Sequence, residues 1–383
     1  MSRLTCTTAG ESHGACLITQ IEGLPAGFEL PVDLANDMLQ RRQGGYGRGG
    51  RQKIEQDRVE ILTGILRGRA IGSPLVIRIA NRDARIDEAP PLHRPRPGHA
   101  DLAGAMKWDT DDCRPVLERA SARETAARTA AGAVAKGLLR EFGIEAAGFV
   151  TSLGGVDASV PATMPLAELV ARRDASEVAC PDQAVEAAMK QAIDDAKRAG
   201  DTVGGLFEVR VEGLPAGLGS CFRREDRLDA RLAGAVMGIP AVKGVEIGMG
   251  FVVAPRRGSE VHDEIFWDED LTATPRRGVR RGSNNAGGLE GGMTNGETLV
   301  LRGAKKPIST LGRRLRSIDL RTKAAEEAAY ERSDICALPA ASLIADAVVC
   351  VEIADAFLQR FGADTMAETR RRWEARAARK EIP

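Results

Sequence analysis

A heptapeptide that occurs twice is the feature that most constrains the fold of this chain. IEGLPAG at 21–27 returns as VEGLPAG at 211–217, an offset of 190 residues in a chain of 383. Each copy ends an alternating run of apolar and polar residues and supplies Pro and Gly for a turn. The echo predicts two related β-rich halves, about 1–190 and 191–365. A chance match between two common strand-end turns is the alternative.

Ala-rich segments with helical periodicity alternate with the strand-like runs, which predicts a mixed α+β fold. Pro339 suits the first turn of one of these helices. No Pro/Ser-rich linker divides the chain, so we expect one domain over 1–383 with a charged helical tail at 365–383. The predicted helices are 117–141, 183–199, 225–237, 340–360 and 365–380, and the predicted strands are 58–65, 74–80, 205–212, 244–253 and 297–301.

Charge is balanced over the whole chain, with 54 Lys and Arg against 54 Asp and Glu. No global field therefore draws the protein to nucleic acid or to an anionic membrane. Basic Gly-rich loops nevertheless recur along the sequence, so positive charge is gathered locally and offset elsewhere. This pattern predicts a small, strongly anionic ligand rather than a polyanion.

The first residues of the sequence and the distribution of its cysteines predict a cytoplasmic protein with reduced cysteines. The first residues, MSRLTCTTAGESHG, lack the apolar core of a signal peptide, and no run approaches the roughly 20 apolar residues of a membrane span. Seven cysteines are scattered without a C-x-x-C pair, and their odd number argues against a full disulfide framework. We expect them to be reduced packing residues, and we predict no metal site.

GESHG at 10–14 matches the G-x-S-x-G pattern of a serine hydrolase elbow. The position of the motif argues against a hydrolase elbow. The nucleophilic serine of an α/β-hydrolase follows several strands and an oxyanion loop, whereas only 11 residues precede Ser12. Neighbouring side chains of an extended segment also point to opposite faces, so Ser12 and His13 are poorly placed as nucleophile and base. His13 is the better candidate, since an imidazole can donate or accept a proton at neutral pH.

Four arginines crowd the glycines of RRQGGYGRGGR at 41–51. GYGRGG matches G-x-G-x-x-G, but it follows a helix-like stretch, which is the reverse of the order in a dinucleotide-binding fold. One RGG-like copy beside the acidic IEQDRVE is also too little for an RNA-binding box. Guanidinium groups next to open backbone N–H groups can instead hold a phosphate or a carboxylate. A solvated charged loop is the alternative.

Further basic residues accompany a second histidine. HRPRPGHAD places Arg94 and Arg96 beside His99, one of only four histidines in the chain. In RASARET, we expect Arg119 and Arg123 to lie one helical turn apart and to point the same way, with small residues between them that leave room for a flat ligand. Surface arginines on an amphipathic helix are the alternative.

Taken together, these strings resemble the chorismate synthase family. The resemblance is carried by AGESHG, RRQGGYGRGGR, RPGHAD, ERASARETAAR, AVKGVEIGMGF, NNAGGLEGGMTNGE, KKPIST and RSDICALPAAS, in family order over roughly residues 5–360. It implies a lyase that converts 5-enolpyruvylshikimate 3-phosphate to chorismate and phosphate by a 1,4-anti elimination, the last step of the shikimate pathway to aromatic amino acids. It also implies reduced FMN as cofactor, although no net redox change occurs.

The resemblance assigns catalytic roles. It implies that His13 protonates the departing phosphate and that His99 protonates or holds the reduced flavin near N1. Asp334, in RSDICA, would assist proton removal at flavin N5. Two positions depart from the family pattern, Asp346 in place of Glu and Ile335 in place of Pro or a small residue. Both bear on local packing rather than on the chemistry.

The resemblance also implies binding roles. Arg42, Arg48 and Arg123 would hold the phosphate and carboxylates of the substrate, because guanidinium groups bind such anions through paired hydrogen bonds. Arg42 and Arg48 would alternatively touch NADPH in relatives that reduce their own flavin. The implied flavin contacts are Arg119, Ala120, Ser121, Ala241, Gly291, Lys306, Pro307, Ile308, Ser309, Thr310 and Arg332.

The fold that the resemblance implies is a β-α-β sandwich, with a helical core between antiparallel sheets, assembled as a homotetramer. No segment resembles a flavin-reductase domain, so we expect an external flavin reductase to supply reduced FMN, with NADPH as a candidate reductant. On the residues alone, two other functions stay open. One is a non-catalytic protein that binds an anionic metabolite or RNA, and the other is a flavin oxidoreductase with net hydride transfer.

Overall fold

The computed structural model describes residues 4–50, 54–331 and 333–377. Over these residues the chain has a mixed α+β fold, which confirms the class predicted from the alternation of strand-like and helical segments. Within this part of the chain, no helix is both long and apolar enough to cross a membrane.

The first half of the chain builds one antiparallel sheet and a short hairpin. Its strands, in chain order, are β1 (Thr5–Gly10), β2 (Cys16–Glu22), β3 (Glu60–Thr63), β4 (Ile65–Leu66), β5 (Arg69–Ala70) and β6 (Leu75–Ala80). The sheet has the order β1-β2-β6-β3, and β4 pairs with β5.

Residues 145–327 build another antiparallel sheet and three hairpins, so the second sheet begins well before the predicted boundary at about residue 190. The strands in this range are β7 (Glu145–Leu153), β8 (Val156–Asp157), β9 (Gly205–Glu212), β10 (Val242–Ile247), β11 (Ile265–Trp267), β12 (Val279–Arg281), β13 (Leu289–Glu290), β14 (Met293–Thr294), β15 (Leu299–Lys305), β16 (Arg316–Ile318) and β17 (Ala325–Glu327). The sheet has the order β10-β15-β9-β7-β8, and the hairpins are β11–β12, β13–β14 and β16–β17.

Two long helices lie at the centre of the molecule and pack on each other. The α-helices are α1 (Val32–Gln43), α2 (Asp101–Lys107), α3 (Arg114–Ala120), α4 (Thr125–Arg140), α5 (Leu166–Asp174), α6 (Glu186–Arg198), α7 (Leu228–Met237), α8 (Leu338–Phe361) and α9 (Met366–Ala377). The central pair is α4 and α8; α4 also contacts β1 and β2, and α8 contacts β7 and β9. Pro339 lies in the first turn of α8, as predicted.

One charged pair lies inside the contact between α4 and α8. Lys136 of α4 donates to Oδ2 of Asp346 of α8 at 2.6 Å and to the carbonyl of Ala146 at 2.6 Å. Asp346 has no exposed surface, and its Oδ1 accepts from the thiol of Cys350 at 3.4 Å. Both oxygens of the Asp346 carboxylate, which stands where the family pattern has Glu, therefore accept hydrogen bonds. At the other departure, the backbone N–H of Ile335 donates to Gly47 at 2.9 Å.

The two copies of the repeated heptapeptide adopt the same turn. Gly23 and Gly213, which follow β2 and β9, have φ of 85° and 80°. At the other end of the turn, Gly27 and Gly217 both have φ of 87°. Glycine takes up this left-handed conformation without strain, which accounts for glycine at both ends of both copies. In each half the turn is followed by a helix, α1 or α7.

The predicted helix at 117–141 is wrong as a single element, because the chain is extended at Ser121, with φ −64° and ψ 141°. Oγ of Ser121 accepts from the backbone N–H of Arg123 at 3.3 Å and so caps a short turn at 122–124 that leads into α4. Arg119 ends up on the surface and Arg123 is buried. The expectation that these two arginines share one helical face is therefore also wrong.

Candidate active site

A cavity of about 500 Å³ lies where segments from both halves of the chain meet. Its walls come from the loop after β1, from α1 and the loop behind it, from the junction of α3 and α4, and from the loops that follow β15 and precede α8. The structure thus brings residues that are distant in sequence into one place. The predicted site residues in its lining are His13, Arg42, Arg48, His99, Ala120, Ser121, Arg123, Ala241, Lys306, Ile308, Ser309, Thr310 and Asp334.

His13 lies in the turn between β1 and β2, which is held from two sides. Nδ2 of Asn81 donates to three backbone carbonyls of this turn at 2.7–3.3 Å. On the ring, Nδ1 lies 3.0 Å from both carboxylate oxygens of Glu118, and the backbone N–H of His13 donates to the same carboxylate at 2.8 Å. Nε2, on the other side of the ring, is 3.7 Å from Asp83. The imidazole is therefore held in one orientation before any ligand binds.

His99 also has a buried carboxylate partner. Oδ1 of Asp101 lies 2.5 Å from Nδ1 of His99, and Asp101 accepts from Nε and Nη2 of Arg96 at 2.8 and 3.1 Å. Burial alone would raise the pKa of Asp101, but hydrogen bonds from His99 and Arg96 hold it well below its usual range. Nη1 of Arg96 donates to Thr310 at 3.1 Å, so His99 is linked to the loop after β15.

Two of the predicted substrate-binding arginines, Arg42 and Arg123, are almost fully buried. Nη1 of Arg123 donates to both oxygens of Asp57 at 2.6 and 2.8 Å, and Nη2 lies 3.7 Å from Glu55. Arg42 donates to Asp57 at 3.4 Å and to Thr125 at 3.1 Å. Burial lowers the pKa of Arg42 to about 10, so it is still charged at neutral pH. Much of the donor capacity of both arginines is used within the protein, which fixes their positions.

Arg48 and Asp334 join two loops of the cavity wall. The carboxylate of Asp334 accepts from the backbone N–H of Gly49 at 2.6 Å and lies 2.8 Å from Nη1 of Arg48. A Cβ on Gly49 would overlap the backbone of Ser333, so glycine here makes room for the chain itself rather than for a ligand. Nε of Arg48 is buried and has no hydrogen-bond partner among the described residues. An unpaired buried donor in a cavity wall suits an anionic ligand.

Positive charge prevails in the cavity. Among the described residues that line it, seven are Arg or Lys and four are Asp or Glu. Lys305, which sequence reasoning did not select, is 8% exposed, and burial lowers its pKa. An excess of cations at a concave site attracts ligands with several negative charges. The lining therefore agrees with the small anionic ligand expected from the distribution of charge in the sequence.

Several predicted flavin contacts are not part of the cavity lining. Arg119 donates to the backbone carbonyls of Thr8 and Gly10 at 3.1 Å on the surface. Gly291 lies in the turn between β13 and β14, and Pro307 is not in the lining although both its neighbours 306 and 308 are. Arg332 lies outside the described residues. The roles of these four residues stay predictions.

Sequence reasoning missed the acidic partners of the site. Asp57 and Glu55 lie in IEQDRVE, directly after the loop of glycines and arginines. Asp101 ends RPGHAD, and Glu118 begins ERASARETAAR. Each acid thus lies within or beside a string that carries a basic site residue, and this proximity was a usable signal. Ser12, the serine of the hydrolase-like pattern, donates to the hydroxyl of Ser121 at 3.0 Å.

The chain matches one protein family over almost its whole length. A family model described as chorismate synthase matches residues 4–358. The chain belongs to the chorismate synthase family. The chorismate synthase of Desulforamulus reducens is 51% identical over 378 residues, which cover 95% of this chain and 96% of the relative. That of Symbiobacterium thermophilum is 53% identical over 383 residues, with the same coverage of 95% and 96%.

A solved structure agrees with the sequence relatives. The crystal structure of a chorismate synthase superposes with a TM-score of 0.80 at 38% identity, covering 99% of this chain and 98% of the other. The resemblance to the chorismate synthase family that was drawn from short strings is therefore confirmed at the level of family and fold.

Proposed function

We propose that the chain is a carbon–oxygen lyase that converts 5-enolpyruvylshikimate 3-phosphate to chorismate and inorganic phosphate, the last step of the shikimate pathway. In this 1,4-anti elimination a C–O bond to phosphate and a C–H bond break, and the products carry the same number of electrons as the substrate. The observation that carries the proposal is the presence, in one cation-rich cavity, of two carboxylate-held histidines together with Arg42, Arg48 and Arg123.

The arginines bind the phosphate and the two carboxylates of the substrate. Arg42 and Arg123 are held by Asp57, so they present fixed positive charge to the cavity without a change of conformation. Arg48 offers its unpaired buried Nε as a donor. The histidines supply protons, and His13 protonates the phosphate as it leaves.

Reduced FMN is the cofactor implied by the family, and the cavity contains side chains that fit it. When bound, it supplies electron density that eases the loss of phosphate without being consumed. The small side chains of Ala120, Ser121 and Ala241 leave room for a flat ring, and Lys306 provides a cation for its phosphate. Ile308, Ser309 and Thr310 complete the residues that would hold it. His99 and Asp334 bind and orient polar groups at this part of the cavity.

The finer features of the fold belong to the same proposal. We infer a single domain in which the paired helices α4 and α8 lie between the two sheets, and in which the two halves are an internal repeat. The strand orders support the repeat, since β1-β2-β6-β3 corresponds to β7-β9-β15-β10, with β8 as an addition. The shared turn geometry of the two heptapeptides supports the repeat further, and one buried hydrophobic cluster that runs from Leu4 to Met366 supports the single domain.

Assembly, location and the source of electrons are also proposed by resemblance. We propose a cytoplasmic homotetramer that receives reduced FMN from an external flavin reductase, with NADPH as the candidate ultimate reductant. Size-exclusion chromatography with light scattering tests the tetramer. Turnover with NADPH and oxidised FMN but no added reductase would contradict the external supply.

The test of function is an anaerobic assay with dithionite-reduced FMN and 5-enolpyruvylshikimate 3-phosphate, followed by chorismate absorbance. We expect turnover with reduced FMN and none with oxidised FMN. Consumption of one reduced flavin per product would indicate an oxidoreductase instead. Absence of chorismate under fully reducing conditions would contradict the proposal.

A further inference from the structure

Glu118 contacts the segment that carries His13 through several atoms. The backbone carbonyl of Glu118 accepts from the N–H of Ser12 at 2.9 Å, and Oε2 accepts from the N–H of His13 at 2.8 Å. Both carboxylate oxygens also lie 3.0 Å from Nδ1 of the His13 ring. Glu118 is only 2% exposed, so these contacts are shielded from water and correspondingly strong.

The carboxyl group of Glu118 is ionised in this setting. Burial alone would raise its pKa, but hydrogen bonds from the side chain and the backbone of His13 lower it below its usual range. Arg114 adds a guanidinium group 3.7 Å away. An ionised carboxylate has no hydrogen to donate. The ring nitrogen that faces it, Nδ1, must therefore carry the hydrogen of this contact.

The other ring nitrogen, Nε2, lies on the side of the ring that faces Asp83. Both His13 and Asp83 line the cavity, and Nε2 of His13 is 3.7 Å from the Asp83 carboxylate. With Nδ1–H committed to Glu118, Nε2 is the atom at which the ring gains or loses a proton. A ring with the opposite tautomer would present its proton-accepting nitrogen to Glu118, where it would meet a second acceptor.

We propose that Glu118 is a positioning residue that keeps a hydrogen on Nδ1 of His13 in both the neutral and the imidazolium ring, so that the imidazolium donates its Nε2 proton to the departing phosphate. The inference rests on the proposed function. In the step, the C–O bond to phosphate breaks and its electron pair stays on the phosphate oxygen. The proton on Nε2 moves to that oxygen and leaves a neutral Nδ1–H imidazole. Glu118 keeps its charge throughout and acts only through the ring.

The tautomer can be measured without any substrate. The chain has four histidines, so protein labelled with ¹⁵N at histidine gives few signals, and His13→Asn identifies the signal of His13. At a pH where the ring is neutral, we expect the Nδ1–H form in the wild-type protein. In Glu118→Gln we expect a gain of the Nε2–H form, because the amide can donate to Nδ1. A wild-type signal dominated by Nε2–H would overturn the proposal, whether or not any variant folds.

Kinetics supply the second readout. We expect Glu118→Gln to lower kcat by about 10²-fold or more while KM changes by less than about threefold, because the loss falls on proton transfer and not on substrate binding. Glu124→Gln is the matched control, since Glu124 is also buried and its carboxylate pairs with Arg128 at 3.0 Å. The control should keep the wild-type kcat and the wild-type His13 signal. Equal losses in the two variants, or none in Glu118→Gln, would overturn the positioning role.

The two proposals fail in distinguishable ways. If the wild-type protein forms no chorismate with reduced FMN, the proposed function is wrong, and the ¹⁵N signals still decide whether Glu118 sets the tautomer. If the wild-type protein turns over and Glu118→Gln matches it, the function stands and the positioning role is removed.

Discussion

At the scale of single residues, the candidate site pairs the arginines of its lining with carboxylates of the protein. Asp57 lies between Arg42 and Arg123, and Asp101 binds Arg96. Burying a charge is costly unless an opposite charge and hydrogen bonds compensate. The acids therefore allow the cavity to keep charged donors in fixed orientations before a ligand arrives, which is the condition for electrostatic catalysis.

Replacing a cavity histidine should reduce turnover far more than replacing a surface one. We expect His13→Asn and His99→Asn each to lower kcat by about 10²-fold or more, the usual contribution of a proton-transferring group. His262→Asn is the control, because His262 is exposed and is not in the cavity lining. Initial rates of chorismate formation measure the effect. Wild-type rates in both cavity variants would remove the acid–base assignments.

Arg48 should matter through its geometry as well as its charge. Arg48→Lys keeps the positive charge but removes Nε and the planar donor fork. We expect KM for the substrate to rise about tenfold, which corresponds to one charge-assisted hydrogen bond. Arg78→Lys, at a surface pair with Glu60, should leave KM unchanged. An unchanged KM in Arg48→Lys would mean that its buried Nε does not bind the substrate.

The basic side of the site was easier to predict than the acidic side. His13, His99 and the arginines are recognisable because histidines are rare here and the arginines gather around glycines. The contact between Glu118 and His13 could not be predicted from local spacing, since the two residues are 105 positions apart. Without a family motif, Glu118 resembles any glutamate on an amphipathic helix.

At the scale of elements, the contact between α4 and α8 depends on small side chains. A Cβ placed on Gly132 of α4 would overlap both the Cβ and the backbone of Ala347 on α8. The helices can therefore approach closely enough to bring the N-terminal ends of both to the cavity, where Thr125 and Ala340 lie in the wall. The packing of the core and the shape of the site are thus linked.

A methyl group in this contact should destabilise the protein. We expect Gly132→Ala to cost about 1–3 kcal/mol by overpacking, even though alanine is the better helix former. Gly234→Ala is the matched control in α7, where the added Cβ meets no atom within 4 Å, and it should stabilise by about 0.5–1 kcal/mol. Urea unfolding of both variants gives the comparison. An unaltered or raised urea midpoint for Gly132→Ala would contradict the close contact between α4 and α8.

Some element boundaries were predicted well, but the predicted strand 244–253 is wrong at its end, since the strand stops at Ile247 and residues 250–253 form a 3-10 turn. β9 occupies the predicted range 205–212, and α8 extends the predicted 340–360 by two residues at its start and one at its end. The break at Ser121 was missed, because serine competes for backbone hydrogen bonds only in the tertiary setting that makes the extended conformation favourable. Propensity alone gives a continuous Ala-rich helix there.

At the scale of the whole molecule, a protein with no net charge contains a cavity with an excess of positive charge. We expect KM for the small anionic substrate to rise only a few-fold between about 50 and 200 mM salt. A protein that contacts 6–10 phosphates of a nucleic acid loses about 10³–10⁵ in affinity over that range. Measuring KM and the binding of single-stranded RNA at both salt concentrations separates the two. Strong RNA binding with the steep dependence would favour the nucleic-acid alternative.

The fold class and the shared turn at 21–27 and 211–217 could be predicted from the sequence, but the packing of sheets on helices could not. Alternation identified β2 and β9, and the repeated turn pointed to a relation between them. Which sheet faces which helix depends on contacts such as α4 with α8, whose residues show apolar character on nearly all sides. A helix of that kind has no single face from which its neighbours can be deduced.

Residues 360–366 bond to both copies of the repeated turn. Nη1 of Arg360 donates to the carbonyl of Ala216 at 2.6 Å, and Ala26 exchanges backbone hydrogen bonds with Asp364 and Met366 at 2.8 and 2.9 Å. During translation, residues 360–366 leave the ribosome long after residues 21–27. The turn at 21–27 therefore stays hydrated until residues 360–366 have been synthesised, and only then can it form these hydrogen bonds.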